Sequence, residues 1–226
     1  MGIQRGSIST PIIADGLIFN MDAANRASYV PYATQSFDTT DLSISGSFIS
    51  DPTYTTSPPV WNFDGVDDYI EIADDSSLVI PDILTVSIWS KSSTANEGII
   101  YKGQDITQNG DWAIADNGGS YPRIFLNGGT KITGTTNIND GNWHHLAFTY
   151  NSGLASDNVV LYVNGVSEGS ADFTTSLADN GAINIGRYYN NSYTFTGQIA
   201  NAHIYNRALS ANEVLHNYNA LKGRFV

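Results

Sequence analysis

Short stretches in which apolar and polar residues alternate, separated by turn signals, run through most of this 226-residue chain. Such alternation places every second side chain on one face, as in a β-strand with one buried face. Asn-Gly and Asp-Gly pairs, which adopt the positive φ angles of tight hairpin turns, recur at positions 64–65, 109–110, 117–118, 127–128, 140–141, 164–165 and 180–181. The pattern predicts an all-β fold, an antiparallel two-sheet jelly-roll sandwich.

The predicted strands share this alternation or a run of β-branched and aromatic residues. They cover 17–21, 60–63, 69–73, 84–91, 98–102, 112–115, 123–127, 146–150, 159–163, 182–187 and 198–205. The segment 28–59 is rich in Ser, Thr, Pro and Tyr, and it predicts a long loop or a weakly patterned sheet edge.

One short C-terminal helix is predicted at about 210–221. Ser210 and Glu213 have the spacing of a capping box, and apolar residues recur at helical spacing after them. We find no second domain boundary, so we expect a single domain over 1–226 with a regular core at about 15–209.

Charge and cysteine content exclude several classes of protein. Ten Lys plus Arg against 22 Asp plus Glu give a net charge of −12, and no basic cluster offsets it, so we expect no binding to nucleic acid. No apolar stretch approaches the roughly 18 residues of a membrane span, and no secretory signal is visible, so we expect no membrane insertion. The absence of cysteine excludes disulfides, thiolate zinc sites and thiol nucleophiles.

Five blocks in a fixed order resemble a known family. They are 61–70 (WNFDGVDDYI), 85–89 (TVSIW), 143–150 (WHHLAFTY), 161–165 (LYVNG) and 197–210, which begins GQI and ends IYNRALS. Together they resemble a laminin G-like (concanavalin A-like lectin and glucanase) jelly-roll domain. The resemblance implies two curved antiparallel sheets, often with a carbohydrate or protein ligand at one edge and in many members a bound calcium. The flanks, 14–25 and 213–225, resemble tailed-phage virion proteins that carry this fold.

Catalysis is not expected. Glucanases on this fold need two or three carboxylates in an E-x-D-x-x-E type run on one strand face, because retaining hydrolysis uses an acid and a nucleophile about 5 Å apart. Here Glu71 is the only carboxylate inside a predicted strand, and Asp74 and Asp75 are off its spacing. His144 and His145 should point to opposite sheet faces, so a structural role with each imidazole hydrogen-bonded is expected for both.

Two aromatic and amide-rich segments are candidate ligand contacts. Aromatic faces stack on the C–H surfaces of sugars, and amides bond sugar hydroxyls, but the same residues also serve protein interfaces. The first patch is predicted on a loop and comprises Tyr188, Tyr189, Asn190, Asn191 and Tyr193; the second contains Trp112 and Tyr121. Sugar contact, protein contact and ordinary rim positions all stay open.

Asp64, Asp67 and Asp68 surround a glycine turn and form a candidate calcium site, because calcium requires six to eight oxygen ligands. The alternative is that these aspartates cap turns through Asx hydrogen bonds. The resemblance implies further acidic ligands after the Gly-x-Ile of the last strand, but Ala200 and Asn201 stand there.

The combined interpretation is a non-enzymatic virion structural or accessory protein of a phage, in a capsid decoration, neck or fibre. It would form a homo-oligomer, contact other virion proteins and display a lectin-like surface to host polysaccharide. We expect it to be made in the host cytoplasm and to be extracellular after release. The alternatives are a free carbohydrate-binding module or lectin and, less favoured, a glucanase-type glycoside hydrolase.

Overall fold

The computed structural model describes residues 11–25, 28, 35–41, 43–95, 97–103, 112–116, 118–177, 181–188 and 190–225; at 37 and 190–192 it describes the backbone only. Within these ranges the strands are β1 Leu17–Asp22, β2 Gln35–Phe37, β3 Ser45–Ile49, β4 Thr53–Thr56, β5 Pro59–Asp64, β6 Tyr69–Ile72, β7 Ile83–Lys91, β8 Gly98–Lys102, β9 Trp112–Ala115, β10 Arg123–Leu126, β11 Gly129–Thr133, β12 Trp143–Asn151, β13 Val159–Val163, β14 Val166–Ala171, β15 Ile183–Ile185, β16 Arg187–Tyr188, β17 Asn190–Thr194 and β18 Thr196–Tyr205.

The described strands form two antiparallel sheets packed face to face, which confirms the predicted sandwich. Sheet A has the order β14-β13-β12-β7-β18-β5-β4, with β1 pairing alongside β18. Sheet B has the order β11-β10-β9-β8-β15-β6-β3-β2, and β16 and β17 form a separate hairpin. The non-sequential neighbours in both sheets are the crossovers of a jelly roll.

Alternation decides which residues fill the space between the sheets. In β7, Leu84, Val86 and Ile88 point inward, and in β12 their neighbours Leu146 and Phe148 do the same; all five are fully buried. Two of the predicted Asn-Gly turns connect hairpins, and both residues of each have positive φ angles, Asn127-Gly128 between β10 and β11 and Asn164-Gly165 between β13 and β14.

The predicted helix is α1, Ala211–Leu221, with Ser210 as its N-cap and a complete capping box to Glu213. It continues into a 3-10 turn, Lys222–Arg224. Both lie on the outer face of sheet A, where Val214 of the helix is buried in a cluster with Tyr205 and Tyr162 of the sheet. Across the described residues, no helix is long and apolar enough to cross a membrane.

The segment 28–59 contains β4 at the edge of sheet A, and β2 at the edge of sheet B with its neighbour β3. Of the two predictions made for the segment, the weakly patterned edge therefore holds for its described part. Three further strands, β11, β14 and β17, were not predicted, and β17 lies in the segment that was predicted as a loop. Each is the second strand of a hairpin and carries few apolar residues.

Candidate functional site

The hairpin of β16 and β17 lies over the outer face of sheet B. It leaves the sheet after β15 through Gly186, whose φ of 92° is a left-handed conformation that favours glycine. The Gly186 N–H donates to the Ile99 carbonyl (2.9 Å), and the Phe195 N–H donates to the Gly186 carbonyl (2.9 Å). These bonds hold both ends of the hairpin near the first residues of β8, at one end of sheet B.

The prediction that Tyr188 is a surface contact is wrong, because the hairpin turns its ring onto sheet B. The side chain is only 4% exposed, and its ring centroid lies 5.1 Å from Tyr101 and 5.3 Å from Phe125. Tyr193 stays half-buried above it, 6.2 Å away between centroids. Tyr188 therefore supports the hairpin, and Tyr193 is the accessible one of its two described tyrosines.

Of the other predicted contact residues, one is buried, one is exposed and three have side chains that are not described. Trp112 alternates inward on β9, is 3% exposed and packs in the core 6.1 Å from Phe148, so it is not available to a ligand. Tyr121 is 47% exposed at the same end of the sandwich as the hairpin. Tyr189 and the side chains of Asn190 and Asn191 lie outside the described residues.

Sequence reasoning missed a charged group beneath the hairpin. The Arg187 guanidinium is 3.7 Å from the ring centroid of Tyr69, its Nη2 is 3.4 Å from Asn184 Oδ1, and the same atom is 4.0 Å from Glu71. Glu71 and Asn184 are paired residues on β6 and β15, and alternation turns both outward. The alternation along each strand shows from the sequence that both side chains point outward. It does not show that they are neighbours, because that depends on the pairing of β6 with β15.

The acidic turn, residues 64–68, adjoins the hairpin. The carboxylates of Asp64, Asp67 and Asp68 bring one oxygen each to within 4.8 Å of one another. The Thr194 hydroxyl at the end of β17 donates to the Gly65 carbonyl (2.6 Å), which connects the two segments. Burial raises the pKa of Asp68, and the charges of Asp64 and Asp67 raise it further.

Turn-capping hydrogen bonds also use these carboxylates. Asp64 Oδ1 accepts from the Val66 N–H (2.8 Å), and Asp68 Oδ2 accepts from the Asp64 N–H (3.1 Å). The three residues thus have the oxygen chemistry that suits calcium. Asp64 also makes the Asx hydrogen bond of the alternative, and Asp68 closes the same turn from its other end.

The response to calcium distinguishes these two interpretations. If calcium binds the acidic turn, millimolar calcium should raise the melting temperature by a few degrees over chelator. Asp67→Asn should remove that rise, while Asp74→Asn, an exposed aspartate outside the turn, should keep it. Equal melting curves for the unmodified chain in calcium and in chelator would assign the aspartates to turn capping alone.

Two buried carboxylates lie behind the hairpin at the same end. Glu97 is 2% and Asp116 is 1% exposed, and the Glu97 N–H donates to Asp116 Oδ1. Glu97 Oε1 accepts from the Thr196 N–H (2.7 Å), and Asp116 Oδ2 accepts from the Asn139 side-chain amide. Burial raises the pKa of Glu97 to about 7, with a further contribution from the Asp116 charge. This pair is closed to solvent, so it does not offer an acid and a nucleophile to a substrate.

The neighbouring histidines point to opposite faces of β12, as predicted. His144 Nε2 lies 3.0 Å from Asp140 Oδ1, and its Nδ1 lies 3.3 Å from the Asn164 amide. The expectation of a hydrogen-bonded imidazole is wrong for His145, because neither of its ring nitrogens has a hydrogen-bond partner among the described residues.

The geometry defines a class of protein: a lectin-like jelly roll that carries an aromatic hairpin beside an acidic turn. The chain belongs to the concanavalin A-like lectin/glucanases superfamily, whose sequence profile matches residues 64–215. A relative is the mouse protein called sushi, von Willebrand factor type A, EGF and pentraxin domain-containing protein 1, 29% identical over 177 residues. That match covers 71% of this chain and 5% of the mouse protein.

Solved structures with the same fold include receptor-binding domains of botulinum neurotoxins. The domain of the C/D mosaic serotype superposes with a TM-score of 0.69 at 17% identity, over 92% of this chain and 52% of that chain. A domain of type DC in complex with rat synaptotagmin II gives a TM-score of 0.67 at 12% identity, over 91% and 52%. A type C structure, described in connection with two ganglioside molecules, gives 0.67 at 14% identity, over 91% and 51%. This chain spans about half the length of each of these solved chains. At these sequence identities, the similarity shows a shared fold alone.

Proposed function

We propose that this chain is a non-enzymatic recognition domain that binds its ligand at the hairpin end of the sandwich. The observation that carries the proposal is the placement of the hairpin. Tyr188 fixes it on sheet B, and this leaves Tyr193 half-exposed beside the acidic turn, at the end that also exposes Tyr121. Aromatic rings held by packing bind neutral ligands at low entropic cost.

The ligand we favour is a saccharide. Tyr121 and the half-exposed Tyr193 offer faces for stacking, and the sequence of β17, NNSYT, supplies amides and hydroxyls, in a chain with only 10 Lys plus Arg. Solved neighbours of this fold are described as receptor-binding domains, and one of their descriptions names gangliosides, which supports a glycan. The other neighbour, bound to a protein, makes a protein ligand the second candidate.

The arrangement of the carboxylates supports a role without catalysis. Glu97 and Asp116 are adjacent but inaccessible, and Glu71 is held beside Arg187. In the acidic turn, Asp64 and Asp68 accept backbone hydrogen bonds of the turn itself. Glycoside hydrolysis requires two carboxylates flanking the scissile bond of a bound substrate. We therefore propose that the chain binds a glycan without cleaving it.

Substitution of the exposed tyrosines tests the site. Tyr193→Ala and Tyr121→Ala should each weaken glycan binding roughly fivefold to tenfold, because one aromatic contact contributes about 1 to 1.5 kcal/mol. Leu154→Ala is the matched control: Leu154 is 51% exposed on the turn between β12 and β13, at the opposite end of the sandwich. Glycan arrays and titration calorimetry measure the effect, and equal binding by all three variants would place the site elsewhere.

We further propose that the domain serves in a phage virion, as a capsid decoration, neck or fibre protein that is made in the host cytoplasm and released with the particle. The flanks that carry this resemblance pack together. Arg207 joins them through ion pairs to Asp15 (3.1 Å) and Glu213 (2.7 Å), and Asn217 Oδ1 accepts from the Ile13 N–H (2.8 Å). The two segments thus form one unit of the fold.

Purified particles test this finer proposal. We expect the protein to be recovered with virions at a fixed stoichiometry by mass spectrometry, and to form a homo-oligomer in solution. A strictly monomeric protein that is absent from particles and binds glycans tightly would instead be a free lectin or carbohydrate-binding module.

A further inference from the structure

A row of polar side chains crosses the outer face of sheet A. In the register of the strands, His145 of β12 lies opposite Trp89 of β7, Trp89 lies opposite Asn201 of β18, and Asn201 lies opposite Asp22 of β1. The next row on the same face contains Ser87, His203 and Asn20. Such a composition is typical of a sheet face that contacts water or a ligand.

These side chains are nevertheless buried. His145 is 1% and Asn201 is 0% exposed, and among the described residues neither His145 ring nitrogen nor either polar atom of the Asn201 amide has a hydrogen-bond partner. The same holds for Trp89 Nε1 and for Asn20 Oδ1. Buried polar groups are normally paired, so this face is costly to keep closed.

The cover consists of α1, the 3-10 turn and Phe225, residues 211–225, which we call the helical strap. Tyr218 stacks on Trp89 with ring centroids 5.6 Å apart, and Phe225 lies 4.6 Å from Trp89 and 4.7 Å from Trp143. Arg224 makes a bidentate pair with Asp22, at 2.8 and 2.9 Å. Aromatic packing and the Arg224–Asp22 ion pair thus close the strap over the polar rows, and the Arg207–Glu213 ion pair holds its first turn.

The charged and titratable groups around the two histidines come from several elements. The strap brings Tyr218, Lys222 and Arg224 to this face, β1 brings Asp22, and β7 has Lys91 at its end. Asp22 is engaged by Arg224, and Glu213 of the strap is engaged by Arg207. Among the described residues of these elements, no carboxylate is left to pair with a histidine cation.

Burial and charge keep both histidines neutral while the strap is closed. Burial lowers the pKa of His145 to about 3, and the nearby His203 contributes to that shift. Burial lowers the pKa of His203 to about 4; Asp22 opposes that shift, and Arg224 adds to it. Opening the strap would hydrate both rings and return each pKa to its usual value near 6.5.

We propose that the helical strap is an acid-released cover: protonation of His145 and His203 opens it and exposes an aromatic and amide surface on sheet A while the sandwich stays folded. The sign follows from linkage. Groups that are neutral when closed and protonated when open favour the closed state above about pH 6.5 and the open state below it. Between pH 7.5 and pH 5 each histidine should raise the opening constant roughly 30-fold.

Hydrogen exchange of the full chain, read peptide by peptide by mass spectrometry and corrected for intrinsic rates, measures the opening. At pH 5 the amides of 214–225 should lose protection by at least tenfold more than those of the central strands β7 and β12. His145→Phe combined with His203→Asn should abolish most of this difference, because neither replacement takes up a proton.

Controls keep the outcome interpretable. His216→Gln alters a strap histidine that contacts the Pro11 carbonyl and not the polar rows, so it should keep the acid response. Asp22→Asn removes the ion pair with Arg224 and should loosen the strap at both pH values. This variant shows that the assay detects opening, even if the double variant folds poorly. Equal loss of protection in all strands at pH 5, or an unchanged response in the double variant, overturns the proposal.

Discussion

Replacing Glu97 by glutamine is expected to stabilise the protein by about 2 kcal/mol at pH 8 and to change little at pH 5. Glutamine has the shape of the protonated carboxyl and keeps an oxygen for the Thr196 N–H. It does not carry the negative charge that Glu97 must acquire beside Asp116 above neutral pH. Its benefit therefore depends on the ionisation of Glu97.

The direction of the effect follows from the raised pKa. In the folded chain Glu97 ionises near pH 7, while its unfolded value is close to 4.5. Between these values the unfolded chain releases the proton first, so this residue lowers the free energy of unfolding as pH rises. A shift of this size corresponds to roughly 3 kcal/mol. The glutamine amide nitrogen takes the place of Oε2, which has no hydrogen-bond partner among the described residues, and this buried unpaired donor costs about 1 kcal/mol.

Urea unfolding at pH 5 and at pH 8 measures this difference for both proteins. Asp74→Asn is the matched control, since Asp74 is exposed and should give the same small change at both pH values. If Glu97→Gln destabilises the chain at pH 8, then the Glu97 carboxylate has a stabilising partner there, and the raised pKa is wrong.

The histidines and Glu97 make the protein respond to pH in opposite directions. The buried histidines weaken the closed strap as pH falls below about 6.5, whereas Glu97 weakens the hairpin end as pH rises from about 4.5 to 7. Measuring differences between variants at one pH separates the two, because His145 and His203 are unchanged in the Glu97 comparison.

The alternation of side chains predicts most of the fold because it records which face of each strand is buried. Strands such as β8 and β9 begin and end at the predicted residues, and the helix starts at its capping box. The pattern fails for β11 and β14, since partly exposed edge strands bury too few side chains to produce it.

Local sequence does not determine which tyrosine is exposed. The segment around Tyr188 and Tyr193 was predicted as a contact loop on composition, but the exposure of each ring depends on how the hairpin docks on sheet B. The same limit applies to the polar row under the helical strap. His145 and Asn201 are 56 residues apart in the chain and meet only through the register of β12, β7 and β18.

Gly98 provides the most direct test of that docking. A Cβ atom at position 98 would lie 2.0 Å from the Tyr188 amide nitrogen and 2.5 Å from the Arg187 carbonyl carbon. Both are backbone atoms, so no side-chain rotation can relieve the overlap. Gly98→Ala must therefore push the hairpin off the sheet or distort β8, and we expect a loss of about 3 kcal/mol or more.

Gly119→Ala is the control, since no atom lies within 4 Å of its Cβ position and the change should stay within about 0.5 kcal/mol. Urea unfolding compares the two variants, and glycan binding gives a second readout because a displaced hairpin also moves Tyr193. A Gly98→Ala protein with unchanged stability would show that the hairpin does not rest on β8. In that case Tyr188 would be free for contact, and the binding surface would have to be reassigned.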